Sequence, residues 1–422
     1  MGRLKQTAMK KILISSIAIL SLVACSKTDS PVKEQKSITL GASIEQPTDA
    51  TASTAANISA PDVKATLNNS LSTLWATGDI IRMYVANDPN DWHDEINLTL
   101  ASGAGSTNGV FRAAAEYGGN DRWNNYAFFP YYYTSSTGGD NTGSNMGGGG
   151  FYFHLPESYY NYTSGQSFLP LLANMSGGST QPASVSFKHV GGAVVVNLTG
   201  VPGAAKSLGM TIAGKNIQGW PGKVVLSEVG TDSGKITASN GDNSTVWMNF
   251  ATAAGNRDFK FIFPVPSISS TSNITFTMYD KNDVMIWQKT ASSQPAIGRA
   301  QALVMPNKAV SPVPHDIYLA GYINGSDVYT TDNNTYKFVN GSLSLNLTQD
   351  SYVLLNFNNT NKEGSSSLGN QRYLLPAYEG SATSATFSVD ETNYDHKLKV
   401  PAGNKTFTLA YNTDGTITLS YK

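Results

Sequence analysis

The residue types that most often carry acid–base or metal chemistry are sparse in this chain and show no recognised spacing. The histidines are His93, His154, His189, His315 and His396. They are scattered, without the His-x-x-x-His spacing that places two imidazoles on one metal ion, and no triad arrangement includes them. His189 lies in an apolar segment, where a hydrogen-bonded structural histidine is the more frequent role. We therefore predict no catalytic residue, metal site, cofactor or enzymatic activity.

Two further patterns resemble ligand sites but lack an essential part. Asp88, Asp91, Asp94 and Glu95 could bind calcium, yet they lack the fixed alternation of an EF-hand, and a solvated loop is the commoner structure for such a group. The glycines at 147–150 are followed by neither a lysine nor a predicted helix, so they cannot hold a phosphate as a P-loop does. Both segments are predicted to be loops without a ligand.

The single cysteine, Cys25, follows directly after an apolar segment. A positively charged start at 9–11 precedes an apolar run at 12–23, which is long enough for a secretory signal peptide and short for a membrane span. One cysteine excludes an internal disulfide and a Cys-based zinc cluster. The sequence Leu-Val-Ala-Cys at 22–25 resembles the lipobox of bacterial lipoproteins, in which cleavage leaves a lipid-modified cysteine at the new N-terminus. Cys25 is therefore the predicted lipid attachment site, and two or more acyl chains anchor a protein stably to a membrane.

A candidate glycan site lies near the C-terminus. Sugar rings present apolar C–H faces that pack on exposed aromatic side chains, while amides and cations bind the hydroxyls. The residues that fit this description are Tyr322, Tyr329, Tyr373, Asn324, Lys362 and Arg372. The alternative is that each tyrosine packs in or over a β-sandwich, which is the commoner role of any single tyrosine. None of the 6 tryptophans lies in this part of the chain, which weakens a starch-binding interpretation.

Composition favours short strands joined by turns. The 422 residues include 39 glycines and 10% aromatic residues, Ser, Thr and Asn are abundant, and helical periodicity is hard to find. This length predicts two or three domains. Charged residues make up only 14% and the net charge is -1, so the clustered basic field that nucleic-acid binding needs is missing. We predict an all-β protein with no nucleic-acid partner.

Several segments have the pattern of strands. A Gly-Asp turn at 78–79 leads into alternating Ile81, Met83 and Val85. An aromatic strand ends at Pro130 and is followed by a polar, glycine-rich loop to residue 150. Residues 185–198 give two strand-like runs around a Gly-Gly break, and a domain boundary is expected nearby.

The order of these patterns resembles the fimbrillin family of Bacteroidetes. The matching residues are Trp75, Gly78, Asp79 and Ile80, then 123–130, then Phe187, His189 and 194–198, with closing elements at 261–266 and 297–304. The resemblance covers roughly residues 60 to 310. It implies two successive transthyretin-like β-sandwich domains, lipoprotein export, and a role as a pilus subunit or related adhesin.

One feature departs from the family. In oral members an Arg-specific protease removes the N-terminal segment and frees a groove that a strand of another subunit fills. Here no arginine lies between Cys25 and Arg82, and the basic residues of that segment are Lys27, Lys33, Lys36 and Lys64. Either another protease cuts this chain or the lipid anchor remains.

The C-terminal part, 315–422, follows a Pro-Val-Pro linker and more weakly resembles the small β-sandwich modules of bacterial starch-binding surface proteins. It ends in a predicted hairpin at 406–421. The predicted organisation is a lipoprotein signal peptide at 1–24, a tether at 25–60, fimbrillin-like β domains at 61–183 and 184–312, and a smaller C-terminal β-sandwich module at 313–422 that carries an adhesive or glycan-binding surface.

Two functions are compatible with the sequence. The first is an outer-membrane surface lipoprotein that acts as a fimbrial subunit or a tip or accessory adhesin. It would assemble with other pilus subunits by β-strand addition and contact a glycan or protein on a host or bacterial surface. The alternative is a cell-surface lipoprotein that captures polysaccharide through its C-terminal module. The predicted terminal strand is paired in its own hairpin, which favours a tip or accessory position over a polymerising stalk.

Overall fold

The fold is taken from a computed structural model. It describes the following residues: 38–49, 66–67, 73–88, 91–113, 126–130, 150–175, 184–219, 223–241, 244–328, 333–358, 370–374, 382–389 and 397–422. Contacts separate Met1–Lys36 from Ser37–Lys422, and all described residues belong to the second unit. The regular structure in these ranges is β-strand, apart from single 3-10 turns at Leu226–Glu228 and Asn334–Tyr336. The predicted all-β class is confirmed.

The first part of the chain forms a closed sheet. The strands in this part of the chain are β1 (Ile38–Ile44), β2 (Thr48–Asp49), β3 (Thr66–Leu67), β4 (Thr73–Leu74), β5 (Ile80–Asp88), β6 (Asp91–Ser102), β7 (Asn108–Ala113), β8 (Tyr126–Pro130), β9 (Gly150–Tyr152), β10 (Ser158–Tyr159), β11 (Leu171–Met175) and β12 (Ser184–His189). Seven of them close in the order β1-β12-β11-β8-β5-β6-β7. The closure depends on β1, which runs parallel to β12 on one side and antiparallel to β7 on the other.

The middle of the chain forms two packed sheets. Its strands are β13 (Gly192–Val201), β14 (Ala205–Ile212), β15 (Lys215–Asn216), β16 (Lys223–Val225), β17 (Ser239–Asn240), β18 (Thr245–Asn249), β19 (Arg257–Val265), β20 (Ser272–Asp280), β21 (Met285–Gln294), β22 (Gln301–Val304) and β23 (Lys308–Ala309). One sheet has the order β19-β13-β22-β2, with β23 also pairing with β13, and the other has the order β10-β18-β14-β20-β21. Side chains such as Phe261 and Val194 from the first sheet share one buried core with Leu208 and Phe276 from the second, which makes this part a sandwich.

The last part forms a single nine-stranded sheet. Its strands are β24 (Ile317–Ile323), β25 (Ser326–Val328), β26 (Ser342–Leu347), β27 (Ser351–Asn358), β28 (Asn370–Leu374), β29 (Ser384–Val389), β30 (Leu398–Val400), β31 (Gly403–Tyr411) and β32 (Ile417–Tyr421). The order is β25-β24-β27-β28-β29-β32-β31-β26, and β30 pairs with β27. The predicted terminal hairpin is confirmed as β31 and β32. Its second strand also pairs with β29, so β32 is flanked by a strand on each side.

A buried carboxylate joins the middle and last parts. Asp280 accepts hydrogen bonds from the backbone N–H groups of Asn282 (2.9 Å) and Val284 (3.0 Å), and its other oxygen accepts one from the Tyr411 hydroxyl at 2.7 Å. Burial raises the pKa of Asp280, and these hydrogen bonds oppose the rise. The hydrophobic core of the sandwich also continues into the last sheet. The C-terminal module, which follows the Pro-Val-Pro linker, is therefore packed against its neighbour.

Sheet membership differs in detail from the predicted organisation. The predicted tether at 25–60 contributes β1, whose alternating apolar residues complete the closed sheet, and β2, which pairs with β22 of the sandwich. β12 belongs to the first sheet and β13 to the sandwich, so the change of sheet falls after His189. The predicted Gly-Gly break is confirmed there, because β12 ends at His189 and β13 begins at Gly192. Gly191 has no room for a side chain, since a Cβ atom would lie 2.5 Å from the Val265 carbonyl oxygen.

The acidic group predicted as a loop is instead part of a hairpin. Asp88 pairs with Asp91 at the end of β5 and β6, and Asp94 and Glu95 pair with Val85 and Tyr84 further along. The loop prediction was wrong because β-pairing extends these strands beyond their apolar residues. Of the predicted glycine-rich loop, the structure describes only Gly150, which begins β9.

Candidate functional site

β1 lies in a groove made by the two strands beside it and the core beneath. Leu40, Ala42 and Ile44 are buried, whereas Thr39 at the start of this run is exposed. Burying side chains such as Leu and Ile contributes about 1.5–3 kcal/mol each. We call the surface of β7, β12 and Trp75 that contacts these side chains the β1 groove. Its alternating pattern can accept an extended segment with apolar residues at every second position.

Trp75 is the aromatic floor of the β1 groove. It is 1% exposed, and its ring packs edge-on against Phe111 (centroids 4.8 Å apart) and Phe187 (5.4 Å). The indole Nε1 donates a hydrogen bond to the Ala42 carbonyl oxygen at 3.3 Å. The neighbouring Gly109 has no room for a side chain, because a Cβ atom would lie 2.9 Å from Trp75 Cδ1. Trp75 thus contacts the backbone of β1 as well as its apolar face.

The residue after β1 is held by a charged clamp. Glu45 accepts two hydrogen bonds from the Arg299 guanidinium, from Nη1 to Oε2 at 2.5 Å and from Nη2 to Oε1 at 3.2 Å. The His189 backbone N–H donates to the same Oε2 at 3.1 Å, and Arg299 Nη1 also donates to the His189 carbonyl oxygen at 3.0 Å. We call Arg299 and His189 the Glu45 clamp. A two-pronged guanidinium–carboxylate pair is among the strongest and most directional polar contacts in proteins.

Burial and the neighbouring positive charge shift the pKa of Glu45 in opposite directions. Burial would raise its pKa, but the hydrogen bonds and charge of Arg299 and the His189 backbone N–H outweigh burial and hold the pKa below its usual value. The side chain of Arg299 is only 13% exposed. Glu45 is therefore ionised at neutral pH and neutralises a cation that water reaches poorly.

His189 is a buried, neutral histidine. Its Nε2 lies 3.0 Å from the Glu45 carbonyl oxygen and 3.4 Å from Thr73 Oγ1. Since a carbonyl oxygen can only accept, Nε2 carries the proton in this contact. Burial lowers the pKa of His189 to about 4, although the Glu45 carboxylate partly opposes this. The predicted structural, hydrogen-bonded role of His189 is confirmed.

The same segment continues from the closed sheet to the sandwich. The Glu45 N–H donates to the Phe187 carbonyl oxygen at 2.9 Å, and the Thr48 N–H donates to the Ala300 carbonyl oxygen at 2.7 Å. β2 then pairs parallel with β22, Thr48 opposite Gln301. Residues 38–49 are therefore held at the closed sheet, at the clamp and at the edge of the sandwich.

The predicted glycan residues are only partly described. Cys25, Tyr329 and Lys362 lie outside the described residues. Tyr373 and Arg372 lie in β28, opposite Leu355 and Asn356 of β27, and their side chains are not described.

Two other predicted glycan residues are described in full. Tyr322 is 40% exposed and lies opposite Tyr352 of β27. Arg372 lies opposite Asn356, four positions further along β27, so about 13 Å of strand separates the two register positions. Asn324 has a local role: its amide donates to the Asn346 carbonyl oxygen at 3.1 Å and accepts from the Thr348 N–H at 2.7 Å. These contacts tie two turns together.

Neither a metal-binding group of side chains nor a membrane-spanning helix is found among the described residues. In those ranges, no three His, Cys, Asp or Glu side chains are grouped so that they could hold a metal ion. Over the same ranges, the structure contains no helix with the length and apolar character needed to cross a membrane.

Sequence patterns indicated part of the β1 groove but not its charged contact. Trp75, Phe187 and His189 are among the residues that carry the family resemblance, and Arg299 lies in its closing element at 297–304. The pairing of Arg299 with Glu45 was not predicted, because 254 positions separate them. The available signal was Glu45 itself, the one charged residue at 37–48, directly after an apolar alternation.

Comparisons with known proteins give a structural likeness. No protein-family model matches the chain, and no curated protein matches it. A solved protein from Bacteroides ovatus whose name proposes a role in cell adhesion is 15% identical, with a TM-score of 0.36, over 67% of this chain and 96% of its own. The tip fimbrial protein Mfa3 of Porphyromonas gingivalis, with a C-terminal truncation, is 9% identical, with a TM-score of 0.27, over 64% and 94%. The fimbrial anchor protein Mfa2 of that organism is 9% identical, with a TM-score of 0.23, over 60% and 81%. These likenesses are to proteins named for cell adhesion and for fimbriae, and all of them are at low identity and low TM-score.

Proposed function

We propose that this chain is a surface lipoprotein of the outer membrane that acts as a fimbrial subunit, in a tip or accessory position, and assembles by β-strand addition. In this mechanism the segment that carries β1 leaves its groove, and a strand of another subunit takes its place. Main-chain hydrogen bonds supply affinity and alternate side chains supply specificity. Contact with a surface glycan or protein falls to the C-terminal module.

The observation that carries the proposal is the convergence of separated residues on one strand. Trp75, Phe187, His189 and Arg299 each donate to or accept from the segment that contains β1 and Glu45. A groove of this kind leaves two unpaired strand edges, on β7 and β12, once β1 is removed. Unpaired edges are the usual templates for an incoming strand.

The chain is better suited to accept a strand than to donate one. β32 is hydrogen-bonded to β31 and to β29, so donation would require breaking two ladders. The contact between Tyr411 and buried Asp280 adds a further restraint on this hairpin. An acceptor that does not donate its terminal strand ends a polymer, which fits a tip or accessory subunit.

Lysine spacing allows β1 to be removed in one piece. Between Lys36 and Lys64 there is neither lysine nor arginine, and this interval contains β1 and β2 entire. A trypsin-like protease that cuts after Lys64 would detach both strands without cutting inside them. The predicted lipid on Cys25 would be lost with the same fragment.

Mass spectrometry of the mature N-terminus from the native membrane tests this proposal. The protein is analysed before and after exposure to a trypsin-like protease, and its oligomeric state is measured in parallel. We expect lipid-modified Cys25 before exposure, then loss of the segment up to Lys64 together with the appearance of higher oligomers. A segment that survives on folded protein, with no change in oligomeric state, would contradict assembly by strand replacement.

Polysaccharide capture is a second candidate function, favoured by the exposed Tyr322 beside Tyr352. We expect Tyr322→Ala in the full chain to reduce retention on immobilised polysaccharides at least several-fold if this face binds sugar rings. Tyr160→Ala is the matched control, because Tyr160 is 55% exposed and lies far from this face in the sequence. Equal retention of both variants would contradict polysaccharide capture by the face around Tyr322.

A further inference from the structure

We propose that the Glu45 clamp selects the incoming strand by requiring a carboxylate at the position of Glu45. The required pattern is apolar, any, small, any, apolar, then Asp or Glu, as in residues 40–45 of the resident segment. This inference rests on the proposed function, because it concerns the strand that would replace β1. It identifies the partner by its chemistry, as a different subunit with an acidic residue directly after an alternating strand.

The first reason for the carboxylate requirement is the positive charge of Arg299. With the resident segment in place, the Arg299 guanidinium pairs with the Glu45 carboxylate and its side chain is only 13% exposed, so a strand that takes the same position covers the same cation. A poorly solvated cation without a partner is costly, and the cost is larger than that of a lost neutral hydrogen bond. The His189 backbone N–H donates to the same carboxylate. A strand with an acid at this position restores both contacts, whereas a neutral residue restores at most part of them.

The second requirement concerns the size of the side chain at the position of Ala42. Ala42 lies opposite Gly109, at a point where a Cβ atom on that glycine would already lie within 3 Å of both Trp75 and Leu100. The Trp75 indole also donates to the Ala42 carbonyl oxygen. Because Ala42 is only 4% exposed and shares a core cluster with Trp75, we expect a larger side chain at this position to press on the tryptophan that contacts the strand. The middle apolar position is thus restricted to a small residue.

Apart from β1 itself, the described strands of this chain do not meet both conditions. β32 reads Ile417, Leu419 and Tyr421 at its alternate positions, followed by Lys422, so it offers a large middle residue and a cation facing Arg299. β29 carries Phe387 in the middle and is already paired on both sides. Self-assembly through either strand is disfavoured, which directs the proposal to a partner of different sequence.

Peptide exchange on the full chain tests the selection. A site-specific protease sequence is inserted between Asp49 and Thr66, the chain is cut, and labelled peptides that span residues 37–49 are added in excess. One peptide has the natural sequence, one carries Glu45→Gln, and one carries Ala42→Leu. We expect the natural peptide to replace the resident strand and the Glu45→Gln peptide to bind at least tenfold more weakly. The Ala42→Leu peptide should also bind more weakly.

A protein variant separates charge from shape. In an Arg299→Gln protein, the natural and Glu45→Gln peptides should bind with nearly equal affinity, because the discriminating cation is missing. Should that variant not fold, the peptide comparison on the unsubstituted protein still decides the matter. Equal binding of the two peptides to that protein would overturn the carboxylate requirement but leave strand replacement intact. No binding of any peptide would instead overturn strand replacement itself.

Discussion

Replacing Trp75 by alanine is expected to lower the free energy of unfolding by about 3–5 kcal/mol, the range typical of a large aromatic residue deleted from a core. The indole is almost fully buried between Phe111 and Phe187, so its loss leaves a cavity under β1. The hydrogen bond to Ala42 is lost as well. We therefore expect local release of residues 38–49 at denaturant concentrations at which the sandwich remains folded.

Limited proteolysis combined with denaturant unfolding measures both effects. Trp287→Ala is the matched control, because Trp287 is a buried tryptophan in the core of the sandwich. Both variants should be destabilised, but only Trp75→Ala should make the segment around β1 more sensitive to protease. Equal sensitivity in the two variants would show that Trp75 acts on general stability and not on β1.

Stability is expected to fall by on the order of 3 kcal/mol between about pH 6.5 and pH 4 because of His189 alone. Burial lowers the pKa of His189 to about 4 in the folded protein, whereas an unfolded histidine titrates near 6.5. Between these values the unfolded chain binds more protons than the folded one. The folded state therefore loses stability as the pH falls through this window, and the contribution is fully present only above it.

The Glu45 carboxylate adds a second, more acidic change. Its folded-state pKa is lowered, so its contribution is present above the unfolded value and is lost as the pH falls further, through the folded value. The pH at which each loss occurs distinguishes the two groups. His189 weakens the junction first, and the pair of Glu45 with Arg299 fails at lower pH.

Guanidinium unfolding from pH 7 to pH 4 checks the histidine prediction. His189→Gln serves as the comparison, because the glutamine amide can donate where Nε2 donates but does not titrate. The unsubstituted protein should lose more stability over this range than the variant. Identical pH dependence in both proteins would mean that His189 is not the buried base described here.

Local patterns predicted much of the fold. The turn at Asp79 and the strand after it follow from a short stretch, because Asp79 accepts from the Ala76 N–H at 2.8 Å within that stretch. The aromatic strand ending at Pro130 and the terminal hairpin are equally local and were correctly identified. Alternation and turn residues carry enough information where the partner strand is near in sequence.

Long-range pairing could not be predicted in the same way. Nothing near Gly41 indicates that β1 lies parallel to β12, since its partner there is Ser184. The contact of Glu45 with Arg299 depends on two sheets meeting, which a single sequence does not specify. The local sequence of residues 38–49 therefore predicts a tether at 25–60, although β1 completes the first sheet and β2 pairs with the sandwich.

A reversible covalent lock on β1 tests the central claim most directly. Thr39 and Arg112 face each other across β1 and β7, both are exposed, and their place in the ladder makes them a non-hydrogen-bonded pair. Such pairs have Cα atoms about 4.5 Å apart, within the range that a disulfide spans. Cysteines are placed at both positions in a Cys25→Ser chain with the protease site between Asp49 and Thr66.

Uptake of the labelled peptide of residues 37–49 is then measured on the cut protein, first oxidised and then reduced. We expect no uptake while the disulfide holds β1 in its groove, and uptake after reduction. Equal uptake in both states would mean that the peptide binds elsewhere. No uptake in either state would mean that β1 is a permanent part of the fold, and either result would contradict assembly by strand replacement.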